Sequence, residues 1–154
     1  MSYLCTVINH HSMNTTKEKA YARLTEKGIK PSVQRMAIME FLMENFTHPT
    51  IEDIYQALHP IMPTLSKTTV YNTMRLFAEY QAAQVISIDD HHICYDGNIT
   101  PHAHYYCDRC GKIIDLYDVP VPRLRKTTEL QGHDVNSVQL YYRGVCKDCK
   151  KNEN

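Results

Sequence analysis

A charge of one sign is the first thing this chain lacks. Its 17 Lys and Arg are matched by 17 Asp and Glu, for a formal net charge of zero. Between Asn14 and Tyr95, 8 basic residues meet 9 acidic ones, so the bulk basic footprint of a nucleic-acid binder is missing. Any DNA-binding reading must therefore rest on a motif. Nor does any apolar run approach the roughly 18 residues of a membrane span. Met1 to Met13 has neither the basic start nor the apolar core of a secretory signal. The cytoplasm is the expected compartment, with no membrane partner, and no internal repeat organises the chain. Under reducing conditions, six cysteines point to metal rather than to disulfides. With 154 residues, 43% hydrophobic and 22% charged, there is material for one ordinary domain or two small ones.

What is present concentrates between Asp96 and Asp115. Cys107 and Cys110 form a Cys-x2-Cys pair that recurs at Cys146 and Cys149, 35 residues on (111 to 145). Two residues between ligands let a tight turn aim both sulfurs at one tetrahedral ion, so the spacing is that of a structural four-thiolate zinc site. Two disulfides or four buried thiols are the alternatives. The gap exceeds that of a short zinc ribbon, so the intervening chain must fold and return. The same stretch offers harder donors. His102 and His104 flank Ala103, and in an extended segment both imidazoles share a face. Asp96 precedes them and Asp115 follows. Imidazole with carboxylate suits iron, manganese or zinc, whereas an all-thiolate set prefers zinc. Taken singly, each of these four is equally at home as a solvated polar group.

Residues 1–13 read as an appendage, in which Cys5, His10 and His11 are candidate donors in a fraying tail. A helix from Thr16 carries Tyr21 and Leu24 and closes at Gly28. A second carries Val33, Ala37, Ile38, Phe41 and Leu42. A third is capped by Thr50 with Asp53 as its partner, carries Ile54, Tyr55 and Leu58, and ends at Pro60 and Pro63. Ser66 caps a fourth, with Val70, Met74 and Phe77 inside and Lys67, Thr68, Tyr71, Asn72 and Arg75 outside. That outer face is what a helix-turn-helix presents to a major groove, although amphipathic helix pairs also occur without DNA. Val85 to Tyr95 reads as a hairpin around Asp89-Asp90, in the position of a wing. The pattern predicts an α+β protein: a winged-helix domain over 14–96, a turn-rich hinge at 97–101 and a metal-stabilised α/β domain over 102–154. In the second domain, strands are expected at Ala103 to Cys107, Ile113 to Tyr117 and Val135 to Arg143, and a helix from Pro122 to Gln131.

The run His48-Pro49-Thr50 with Asp53-Ile54-Tyr55, the run Ser66 to Asn72, the His102-x-His104 pair and both Cys-x2-Cys pairs closely resemble the ferric-uptake-regulator family over about residues 17–150. The resemblance implies a homodimeric, non-enzymatic repressor whose metal-dependent form binds palindromic double-stranded operator DNA, and it places a structural zinc at Cys107, Cys110, Cys146 and Cys149. It also extends the DNA-facing set to Lys67, Thr68, Thr69, Tyr71, Asn72 and Arg75. The family's peroxide-sensing branch, PerR, binds its regulatory metal through three histidines and two aspartates. The matching positions here are His48, Asp96, His102, His104 and Asp115. Iron-sensing relatives usually carry glutamate at the two aspartates, and zinc-sensing ones often have cysteine at the first. Pro101, Ala103 and Val138 stand where some members have a further metal site, so that site is expected to be absent. Cys94, two residues before Asp96, has no assigned role.

By that resemblance, Fe(II) or Mn(II) held by His48 from one half and by residues of the other sets the spacing of two recognition helices in the dimer. Coupling between metal and operator is reciprocal and typically ~1–3 kcal/mol. With iron, peroxide oxidises a ligand histidine, His102 or His104, and repression ends; with manganese it does not. A regulator of iron or zinc homeostasis, with Zn(II) as a possible ligand, is the alternative within the family. Outside it stands a non-haem iron enzyme, because two histidines and a carboxylate form a facial triad. The chain has little room for an organic substrate, and none is expected.

Overall fold

The computed structural model describes residues 15–89, 91–123 and 129–152; Cys5, His10 and His11 lie outside them. The chain divides into two compact units, one running to Val85 and including Cys94–Asn98, the other formed by Ile86–Ile93 and the chain from Ile99 onward. No helix among the described residues is long and apolar enough to cross a membrane.

The first unit is helical. Helix α1 (Thr16–Glu26) starts at a capping box, in which Thr15 accepts from the Glu18 N–H and Glu18 accepts from the Thr15 N–H. It stops at Gly28, whose φ of 74° lets Ile29 N–H reach Leu24 O at 2.8 Å and Gly28 N–H reach Thr25 O at 3.0 Å. Ser32 caps α2 (Val33–Glu44), Thr50 and Asp53 box α3 (Ile51–Leu58), and Ser66 caps α4 (Lys67–Glu79). Leu24, Ile38, Leu42, Ile54, Val70, Met74 and Phe77 are buried together. The inner faces differ from the expected ones at two points. Ala20 and Met39 are buried, whereas Tyr21 and Val33 are exposed. Ala20 and Leu24 are four apart and share a face, which turns Tyr21 outward. Val33 is the first residue of α2, a turn short of the core.

A hairpin of β1 (Gln84–Asp89) and β2 (His92–Asp96) follows α4 along the chain, where a wing is expected. In the second unit, β3 (Ala103–Cys107) is the middle of a three-stranded sheet. It pairs antiparallel with β4 (Ile113–Leu116) and parallel with β7 (Tyr141–Gly144). A short β5 (Glu129–Leu130) and β6 (His133–Asp134) enclose Gln131 and Gly132, both at positive φ, the signature of a type I′ turn. That turn ends the stretch from Pro122 to Gln131 in a strand rather than the expected helix; residues 124–128 of it are outside the described set. The strand expected from Val135 begins only at Tyr141. Helix α5 (Lys147–Lys151) follows Cys146.

Candidate metal centres

The first donor set in the second unit grows out of β3. Gly111, at φ 72°, turns the chain back so that Gly111 N–H reaches Cys107 O at 2.8 Å and Cys107 N–H reaches Lys112 O at 3.0 Å. Cys107 and Gly144 are partners in the parallel register, so β7 delivers Cys146 to the same end of the sheet. Cys149 comes from α5. The four sulfurs lie within 4.8 Å of one another, with Cys107–Cys149 and Cys110–Cys146 both at 3.9 Å. Sulfurs about 2.3 Å from a central zinc stand about 3.8 Å apart at the corners of a tetrahedron. Disulfide bonding is excluded at this separation, and none of these cysteines is in one.

Their acid–base behaviour fits a cation. Cys107 is lowered to about 6, first by the backbone N–H of Cys110 and then by that of Cys146, which donates to its sulfur at 3.3 Å. Cys149 is pushed up to about 12, chiefly by the neighbouring Cys146 sulfur and by burial. The Cys107 thiolate forms readily and that of Cys149 beside it is resisted, a pairing that a positive ion would relieve. Arg143, over the Tyr106 ring, braces this end by donating to Asp108 Oδ1 from Nη2 at 2.6 Å and Nε at 3.1 Å.

The second set lies on one face of the same sheet. His104 and Asp115 are direct partners across β3 and β4, and His102 is two residues before His104 on the same side. Both imidazole Nε2 atoms converge on a single oxygen: Asp115 Oδ1 is 3.3 Å from His102 and 3.4 Å from His104. His102 Nδ1 is 2.7 Å from Thr100 O. A carbonyl only accepts, so Nδ1 donates to it and Nε2 is left to face the carboxylate. Both histidines are buried, and the donor chemistry suits a divalent ion with N and O ligands.

In the first unit, His48 and Asp96 meet. His48 is buried at a φ of 53°, uncommon away from glycine, and its Nε2 is 3.7 Å from Asp96 Oδ2. Asp96 Oδ1 accepts from Asn98 N–H at 2.7 Å. The Arg23 guanidinium donates to Gly97 O; burial lowers its pKa, and Asp96 and then Glu26 oppose that. A Cβ on Gly97 would stand 2.4 Å from Leu42 O, so only glycine lets this turn lie against α2. The segment expected to be a hinge thus begins with a residue pinned to the helical core.

Along α4, Lys67, Thr68, Tyr71, Asn72 and Arg75 are exposed, while Thr69 is half-buried with its hydroxyl 2.9 Å from that of Ser66. Lys67 pairs with Glu52 at 2.5 Å and lies over the Tyr55 ring. A phosphate at this lysine would have to displace Glu52. Cys94 is buried on β2. Sequence reasoning missed Arg23, the Arg143–Asp108 brace and Tyr117, whose hydroxyl donates to Asp115 Oδ2 at 2.9 Å. The period of two from Asp115 was the available signal for Tyr117.

Comparison with known proteins adds the following. The model of the ferric uptake regulator family matches residues 26–143. The peroxide-responsive repressor PerR of Staphylococcus epidermidis is 35% identical over 147 residues, 93% of this chain and 96% of the relative. The protein of the same name from Staphylococcus aureus is 36% identical over 137 residues, 86% and 90% of the two chains. Among solved structures, the Helicobacter pylori ferric uptake regulator aligns with a TM-score of 0.64 at 19% identity, covering 92% of this chain and 98% of its own. The Campylobacter jejuni peroxide stress regulator aligns at 0.59 and 24%, covering 86% and 97%. At these identities the two structures show the fold.

Proposed function

The chain belongs to the ferric uptake regulator family, and we propose that it is a cytoplasmic, homodimeric, DNA-binding repressor that senses peroxide through its regulatory metal. The observation that carries the reading is the convergence of His102 and His104 on one oxygen of Asp115, an aspartate where iron-sensing members usually have glutamate. The name of the relatives at 35% and 36% identity, peroxide-responsive repressor, points the same way.

In this reading Cys107, Cys110, Cys146 and Cys149 hold a structural zinc, closed to substrate because all four positions are sulfur. His102, His104 and Asp115, with His48 and Asp96 from the helical unit, hold Fe(II) or Mn(II). Ferrous ion held there would activate peroxide, so that one oxygen could be inserted at a C–H of a ligand imidazole and the other leave as water. The protein's own part is positional. Thr100 O fixes the His102 tautomer, Asn98 N–H orients Asp96, and the β3–β4 register brings His104 to Asp115. An oxidised His102 or His104 would be a poorer donor and would no longer hold the ion on which operator binding depends. The exposed face of α4, from Lys67 to Arg75, reads the major groove.

The test is mass spectrometry of the ferrous-loaded protein, kept from air, before and after about one equivalent of peroxide, with operator binding followed in parallel. Gain of one oxygen on the peptide carrying His102 and His104, with loss of DNA binding, is expected. No gain, with DNA binding following metal supply alone, would make this an iron or zinc homeostasis regulator. Turnover of an organic substrate would make it an enzyme. His48→Ala should abolish metal-dependent operator binding while the zinc content stays at one per chain, read by electrophoretic mobility shift and metal analysis.

A further inference from the structure

We propose that Glu52 is a specificity-determining residue of the DNA-reading face: by neutralising Lys67 it withholds that lysine from DNA phosphates and suppresses binding to DNA of arbitrary sequence. The proposal rests on the DNA-binding reading above. Lys67 is the first residue of α4, and Glu52 is the second of α3. Lys67 Nζ and Glu52 Oε2 are 2.5 Å apart. The other carboxylate oxygen of Glu52 accepts from Gln56 Nε2 at 2.8 Å, one turn along α3. The Lys67 ammonium also lies over the Tyr55 ring, 5.4 Å from its centre. Each charge favours the other: the bond to Lys67 lowers the pKa of the Glu52 carboxyl, and the bond to Glu52 raises that of Lys67.

Three side chains of α3 thus set the place and the net charge of one residue on the reading helix. A lone lysine there would be a point charge on a flexible stem, ready to neutralise any phosphate in reach. Such contacts release condensed counterions and carry no sequence information. Glu52 removes that gain, because a phosphate can take Lys67 only by displacing a carboxylate and leaving it unpaired beside the DNA backbone. A base edge makes a different demand. The ammonium has three N–H donors and Glu52 needs one, so Lys67 can still donate to a guanine acceptor with the pair intact. Discrimination is a difference of affinities, and Glu52 acts on the nonspecific side of it. An exposed pair of this kind contributes little to the fold; its consequence lies in what binds.

The experiment uses full-length, manganese-loaded protein and two duplexes of equal length and base composition. One is selected from a random-sequence pool by the wild type, and the other is its scrambled counterpart. Affinities are measured over a range of salt concentrations for wild type, Glu52→Gln, Lys67→Gln and the double variant. Both side chains are about half exposed, so neither substitution disturbs the core. Glu52→Gln should bind the scrambled duplex roughly fivefold tighter at ~0.1 M salt, with log K falling more steeply against log salt by about 0.9, one additional phosphate. Binding to the selected duplex should tighten less, so the ratio of the two affinities falls. In the Lys67→Gln background the same substitution should change neither slope nor ratio. A wild-type slope and ratio in Glu52→Gln would overturn the proposal. So would equal tightening on both duplexes, or tightening that persists without Lys67, the marks of a carboxylate that merely repels DNA. If the wild type retains no duplex from the pool, with or without manganese, the DNA-binding reading itself fails.

Discussion

Leu24, Ile38, Met39, Leu42, Met74 and Phe77 are fully enclosed in the helical unit, where four capped helices close over them. In the sheet unit the described buried side chains are instead Ile86, Ala103, Cys107, Cys146, His102 and His104. Burial of large aliphatic and aromatic groups stabilises by about 1.5–3 kcal/mol each, so the first unit has a conventional core. The second has donors where a core would be. A small module of that kind is the type that a metal completes, with roughly 10–16 kcal/mol apparent for structural zinc at neutral pH.

The sharpest way to break the contrast is to strip the zinc proposed for the four thiolates, by chelation or by Cys107→Ser. The β3–β4–β7 sheet should lose its amide-exchange protection while the helical circular dichroism of α1 to α4 largely survives. Acid gives the same result reversibly. Because the folded Cys107 thiol is lowered to about 6, its contribution is complete above the unfolded value of about 8.5 and is lost as pH falls through about 6. Cys149, pushed up to about 12, stays protonated in the metal-free fold throughout that window and does not offset the loss. A chromogenic chelator should therefore report zinc release centred near or below pH 6.

The converse break is Phe77→Ala, which leaves a cavity among the helices and should cost about 3–5 kcal/mol in denaturant unfolding of that unit, with zinc affinity unchanged. Smallest is Thr50→Ala. It removes the hydroxyl half of the capping box while the Thr50 N–H still reaches Asp53 Oδ2, and should cost about 1 kcal/mol, seen as a fall of a few degrees in the Tm of the helical transition.

The helices were legible because their signals are local. Thr50 with Asp53, Ser66 before Lys67 and Gly28 after α1 each mark an end within a few residues. Which face turns inward was less so. Tyr21 and Val33 satisfy an apolar period but are exposed, since the core is selected by neighbouring helices rather than by hydrophobicity alone. The stretch from Pro122 misled for a related reason: its apolar spacing fits a helix, yet Gln131 and Gly132 at positive φ build a hairpin.

Cys-x2-Cys spacing and the His-x-His alternation are short-range patterns, so the order of residues along the chain was enough to single out both donor classes and the family they resemble. Register is a different matter. That Cys146 returns to the end of the sheet where Cys107 sits follows from parallel pairing across about 35 intervening residues. That His104 faces Asp115, with Tyr117 beside His102, follows from the antiparallel alignment of β3 and β4. A slip of one residue would turn every one of those side chains to the opposite face, and no local sequence pattern encodes that alignment.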